Sequence, residues 1–206
     1  GAVDWDYLHS GFGYVKITAF TSDTVVTADV ISRLPDSVVG VSNATFRWSL
    51  GSWSAEYGYP RVVAFYEDRL LWGATTLEPQ TIWGSRSGDY ENHAIGQAAD
   101  DDAYIYTIAS GQVNTIEWMM PARLLVIGTV GGEFIMSGTT ESDAITPTNV
   151  RVVPQTNYGS KAIRPILSAN AILFVQRSGR KVRELIYNFD NDAYVASDLT
   201  LLSEHI

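Results

Sequence analysis

The stretch Arg61–Arg86, RVVAFYEDRLLWGATTLEPQTIWGSR, decides the fold, because its pattern recurs twice further along the chain. An apolar strand breaks at Glu67-Asp68, resumes as the strongly apolar RLLWG, and turns through ATTLEPQ into the aromatic TIWG. Val113–Gly138, VNTIEWMMPARLLVIGTVGGEFIMSG, repeats this order, and Ala162–Phe189, AIRPILSANAILFVQRSGRKVRELIYNF, repeats it again. Aligning Arg69-Leu70-Leu71-Trp72 with Arg123-Leu124-Leu125-Val126 and Ala171-Ile172-Leu173-Phe174 spaces the copies 54 and 48 residues apart. The turns ATTLEPQ, TVGGE and QRSGRK carry the glycine or proline that a hairpin needs.

A period of this length, filled by three or four short strands, is the signature of a β-propeller blade. The middle strands LLWGA, LLVIG and ILFVQ are apolar on both faces. Each small sheet must therefore be covered on both sides, which stacking against neighbouring sheets achieves. Three copies fall short of the four blades that a closed propeller needs. The expectation is an all-β chain of repeated small antiparallel sheets, partly propeller-like, over residues 51–206. A β-sandwich of the same strands is the alternative.

Residues 1–50 read differently, as a small antiparallel β segment and connector. Tyr14–Phe20 alternates, with Val15 and Lys16 on opposite faces, and Thr24–Val30 is a second β-rich run beyond the turn cluster Thr21-Ser22-Asp23. A short helix over Val25–Leu34 is the competing reading, opposed by the β-branched residues of TVVTADV. Residues 36–60 have no sustained period, and Trp48, Trp53 and Tyr57 are expected to pin them as an ordered connection.

Composition narrows the function classes. Of 206 residues, 46% are hydrophobic and 18% charged, which excludes wholesale disorder. Fourteen basic against twenty-three acidic side chains give a net charge of −9, which disfavours a nucleic-acid or anionic-membrane binder held by charge. The absence of cysteine removes disulfides, thiolate metal sites and a cysteine nucleophile together. No run approaches the roughly 18–20 apolar residues of a membrane-spanning helix, and GAVDWDYLHSGFGYV lacks the basic start and apolar core of a signal peptide.

Catalytic motifs are missing. His9, His93 and His205 sit in polar contexts, and neither an HExxH nor a Gly-x-Ser-x-Gly pattern occurs. Asp100-Asp101-Asp102 is the one dense acidic cluster, but it lacks the spacing and glycine of a calcium loop and reads as a solvated loop before a strand. No catalytic residue, metal centre or cofactor is expected. Residues 161–183 hold Lys161, Arg164, Arg177, Arg180, Lys181 and Arg183 with no acid among the residues up to 183. Their shared turn should expose these charges together. Asp100, Asp101 and Asp102 on one side and Arg177, Arg180 and Lys181 on the other are the candidate halves of a contact between subunits.

Several long segments carry a resemblance: YPRVVAFYEDRLLWGATTLEPQTIWGSRSGDYENH, DDDAYIYTIASGQVNTIEWM, LLVIGTVGGEFIMSG, AITPTNVRVVPQTNYGS and ILFVQRSGRKVRELIYNFDNDAYVASDLTLLSEHI. Over about residues 57–206 the chain resembles a family of structural proteins from tailed phages and prophages, which is similar to the tail nozzle (tail tubular protein B) of short-tailed phages. GFGYVKITAFTSDTVVTADVISRLP resembles the small β-barrel-like segment that precedes the repeats in some members. The resemblance implies a non-catalytic virion protein, made in the bacterial cytoplasm and placed in the tail. Its partners would be further copies in a ring, expected to be a hexamer, and other tail or portal proteins. DNA would pass through without specific binding. Members are several times longer, so this chain reads as a fragment of such a protein. A carbohydrate-binding or glycan-degrading propeller of a receptor-binding tail component is the alternative, with Trp72, Trp83 and Trp118 as sugar-stacking platforms.

Overall fold

The structure, a computed structural model, describes residues 12–46, 48–96, 98–111, 113–191 and 193–201. It divides into two compact units, Gly1–Gly51 and Ser52–Ile206. Among the described residues both are all-β apart from two one-turn 3-10 helices, at Asp36–Val38 and Phe189–Asn191.

The first unit holds one antiparallel hairpin, β1 (Val15–Ser22) and β2 (Val25–Val30). The second run is thus a strand and not a helix. Two register shifts keep the apolar partners Val15/Val30, Ile17/Ala28 and Phe20/Val26 on one face, while Lys16 meets Asp29 on the other. Among the described residues this hairpin is the unit's whole sheet, so the expected barrel-like segment is corrected to two strands. Closing a barrel would need several more strands to tilt and pair.

The second unit contains three four-stranded antiparallel meanders in succession. The first sheet comprises β3 (Val62–Tyr66), β4 (Arg69–Gly73), β5 (Thr81–Gly84) and β6 (Tyr104–Thr107). The second comprises β7 (Ile116–Pro121), β8 (Leu125–Thr129), β9 (Glu133–Ser137) and β10 (Arg151–Thr156). The third comprises β11 (Ile166–Ser168), β12 (Ala171–Val175), β13 (Val182–Asn188) and β14 (Ala193–Asp198). Three layers, rather than the two of a sandwich, accommodate the repeat, and no sheet closes into a barrel.

Two cores follow from the two-residue period of a strand. Leu71, Ile82 and Tyr104 of the first sheet pack with Leu125, Ile127, Phe134 and Met136 of the second. The opposite side of the second sheet, with Trp118, Val126 and Ile135, packs on Ile172, Phe174, Leu185 and Tyr194 of the third. Hence β8 and β9 are buried at every position. Gly128 allows this, because a Cβ there would run into the Trp118 indole, which lies across β8 and meets the Phe174 ring at 5.7 Å.

The packing moves the repeat register by one residue in the middle copy. Leu71 faces the following sheet, as does Val126, whereas Leu125 faces the preceding one. The equivalent positions are therefore Leu71, Val126 and Leu173, spaced 55 and 47 residues apart. Arg123 and Leu124 belong to a turn closed by the Ala122 amide on the Leu124 carbonyl at 3.1 Å, and this turn absorbs the extra residue.

The β3–β4 hairpin turns through Glu67 and Asp68 at φ of 48° and 56°, values that glycine or asparagine usually supplies. Side chains hold the turn instead. The Glu67 carboxylate accepts the Ile145 amide at 2.7 Å, tying the first sheet to the second, and Asp68 accepts the Tyr90 hydroxyl at 2.7 Å.

Candidate functional site

The acidic triplet lies in the loop between β5 and β6, and it is more tightly held than a solvated loop. Arg69, buried on β4, donates to the carbonyls of Ser85 and Asp102 at 2.6 Å each and to that of Asp100. The same guanidinium stands 5.5 Å from the centre of the Tyr104 ring. Asp102 is itself buried, and its carboxylate accepts the Ala99 amide at 2.9 Å. Arg86 pairs with Asp101 at 2.6 Å and Asp102 at 3.4 Å. Arg69 therefore meets the loop from inside and Arg86, in the turn after β5, from its partly open side, while Asp100 and Asp101 remain exposed. Among the described residues no three histidines or carboxylates converge in a metal-binding group.

The basic turn lies on the third sheet, between β12 and β13. Gly179, at φ +74°, closes it by donating to the Gln176 carbonyl at 2.8 Å. Arg177, Arg180 and Lys181 are exposed together. Lys181 already pairs with Asp198 at 2.7 Å, and that bond, with help from the Thr200 hydroxyl, holds the Asp198 carboxyl down at about 2. Arg177 reaches the Val130 carbonyl at 3.3 Å. Arg180 makes no ion pair among the described residues. Within one chain the acidic and basic clusters thus sit on different sheets, each with partners of its own.

Arg183 departs from the expectation of a shared exposed patch. It is buried, donates to the Gln176 side chain at 2.9 Å and the Ala196 carbonyl at 2.8 Å, and lies 3.4 Å over the Tyr158 ring. It belongs to a polar node that sequence reading missed. Glu133, at the start of β9, is fully buried and accepts the hydroxyls of Ser160, at 2.8 Å, and Thr156. Burial pushes its carboxyl up, against the lowering effect of the two hydroxyls and Arg183. The node joins the second sheet to the chain entering the third.

Trp53, Trp72, Trp83 and Trp118 are packed rather than displayed. Trp53 leads out of the connecting segment onto the first sheet, with its ring centre 5.8 Å from Trp72, 5.9 Å from Trp83 and 5.4 Å from His93. Burial lowers the His93 pKa there. Trp83 and Trp118 are buried, so neither offers an open stacking platform. Trp48 is exposed, which corrects the expectation that it pins the connection.

A cleft of about 500 Å³ opens where β3 and β7 converge. Val63, Phe65 and Pro121 line it, together with Arg61, Glu117 and Arg164. Arg61 and Glu117 are 3.6 Å apart across it.

The stack presents an outward face at each end. Strand pairing places Val63, Phe65, Trp72 and Ile105 on the outward face of the first sheet. It places Ile166, Leu173, Ile186 and Val195 on the outward face of the third. Exposed apolar surface of this kind marks an interaction site, whether for protein, membrane or ligand. No family model matches the chain, and no curated protein matches it. No helix among the described residues is long and apolar enough to cross a membrane.

Proposed function

We propose that this chain is a non-catalytic structural protein of a phage or prophage tail, forming part of the wall of an oligomeric nozzle through which DNA leaves the virion. The observation that carries this reading is the pair of outward apolar faces at the ends of the three-sheet stack. Such faces suit a component that is finished by covering protein, and sheets buried on both sides suit a rigid wall. The resemblance of residues 57–206 to tail proteins is what supports a place in the tail. Partners are further copies in a ring and adjoining tail or portal proteins. The net charge of −9 suits a passage that a polyanion crosses without sticking, since a basic wall would hold its phosphates.

The test is to probe purified virions with an antibody raised against the stack. Gold label at the tail is the expected result. Virions that lack the chain overturn the proposal.

A further inference from the structure

Both stacked contacts in the molecule join a forward face, directed toward the following sheet, to the backward face of that sheet. Leu71 and Val126 mark the two forward faces, and Ile127 and Phe174 the two backward faces that receive them. Leu173 occupies the same position on the third sheet's forward face, and Trp72 the same position on the first sheet's backward face. Within the second unit neither of these two faces has a sheet stacked on it among the described residues. On the forward one, Ile166 is 66% exposed, Ile186 38% and Val195 36%. On the backward one, Phe65 is 60% exposed, Val63 51% and Ile105 45%.

We propose that the forward face of the third sheet docks on the backward face of the first sheet in a second copy of this chain, so that two copies close a ring of six sheets. Three arguments select this occupant. First, forward against backward is the contact the fold already makes twice, with matching positions on each side. Second, the described residues of one copy stack three four-stranded sheets, and two copies stack six, within the four to eight of closed propellers. A head-to-tail contact that closes gives a ring instead of a filament. Third, pairing two forward faces would set two Glu184 carboxylates against each other, a like-charge contact, because Glu184 lies beside Leu173 on that face. The backward face, with Val63, Phe65, Leu70, Trp72, Trp83 and Ile105, carries no acid there. Trp53 stands in the middle of that face over Trp72 and Trp83, with Val63, Phe65 and Ile105 still open around it. A central aromatic ringed by smaller apolar groups is the usual anatomy of an interface anchor.

The inference does not rest on the virion reading, since assembly in solution is measured without phage. Sedimentation equilibrium of the full chain should give a mass that rises with concentration toward twice 22.6 kDa. Ile186→Lys, on the forward face, and Phe65→Asp, on the backward face, should each weaken the dimer at least about 100-fold, the effect of an unpaired charge in a dry contact. Mixing the two variants should restore it, because one contact is then unaltered and the other joins Lys to Asp. Circular dichroism and thermal melting establish that each variant is folded; if either is not, Val195→Lys or Val63→Asp replaces it on the same face. A monomer at every concentration overturns the proposal. So does a dimer that mixing fails to restore, which would mean that like faces meet.

Discussion

The second and third sheets are the same four-stranded meander, yet they relate to water differently. Every residue of β8 and β9 in the second sheet is buried. In the third, β12 and β13 alternate between buried and partly open positions. The chemistry of the strands differs little: LVIGT and AILFV are both apolar. Position in the stack makes the difference, since the second sheet has a neighbour on each side and the third has one. A strand apolar on both faces is therefore a statement about neighbours, and the docking proposed above would give the third sheet its second one.

The sharpest way to break this comparison is a pair of core truncations. Ile127→Ala in the second sheet should cost about 3–4 kcal/mol, because it removes fully buried methyl groups and leaves a cavity. Leu173→Ala on the open face of the third should cost about 1 kcal/mol in the dissociated chain. Urea denaturation at low protein concentration measures both. Equal costs would mean that the third sheet is as covered as the second, and the comparison would fail.

Next in size is Arg69→Lys. Arg69 donates to three carbonyls from one planar group, and an ammonium cannot reproduce that fork. The loss should be about 2–3 kcal/mol, from buried carbonyls left without donors. Hydrogen exchange should show the opening confined to the 98–102 loop and the first sheet. A uniform loss across all three sheets would show instead that the loop helps to hold the whole stack.

Glu133 gives a smaller, pH-dependent effect at the junction that separates the two sheets. Burial raises its folded pKa above the unfolded value, so the folded state favours the protonated form. The stability this contributes is fully present below the ordinary glutamate range and is lost as pH rises through the folded pKa. Glu133→Gln keeps the shape and can still bond both hydroxyls without carrying a charge. Its melting temperature relative to the unaltered chain should therefore climb by a few degrees from acid to neutral pH and level off above the folded pKa. A difference that is flat with pH would mean that Glu133 titrates alike in both states.

Much of the fold is legible in the sequence, because alternation and turn residues act locally. The strands around RLLWG, LLVIG and ILFVQ, and the hairpin at Tyr14–Val30, can be read directly. The one-residue offset in the middle copy cannot. Leu124 is as apolar as its neighbours and continues the strand pattern, and only the bond between Ala122 and Leu124 places it in a turn. The polar groups are less legible still, since their meaning depends on distant partners. Asp102 is held by residues on β4 and in the turn after β5, and Glu133 by Ser160 and Thr156. A lone glutamate inside VGGEFIMSG was the available signal for the buried node. Trp48 and Trp53 look alike in sequence, and only Trp53 reaches Trp72 and Trp83.

The smallest expected effect concerns the hairpin of the first unit, which extends the comparison to a sheet whose apolar side chains are exposed. Its apolar face carries Val15, Ile17, Phe20, Val26 and Val30, all exposed. A two-stranded hairpin does not hold itself together in water without a third strand or a packed face. Burying Phe20 would stabilise it by roughly 1.5–3 kcal/mol, whereas an exposed Phe20 contributes little. Phe20→Ser should thus change the unfolding free energy of the stack by less than about 0.5 kcal/mol, as at other exposed positions. A loss several times larger in the dissociated chain would show that this face is covered in solution, and that the hairpin has the neighbour the third sheet lacks.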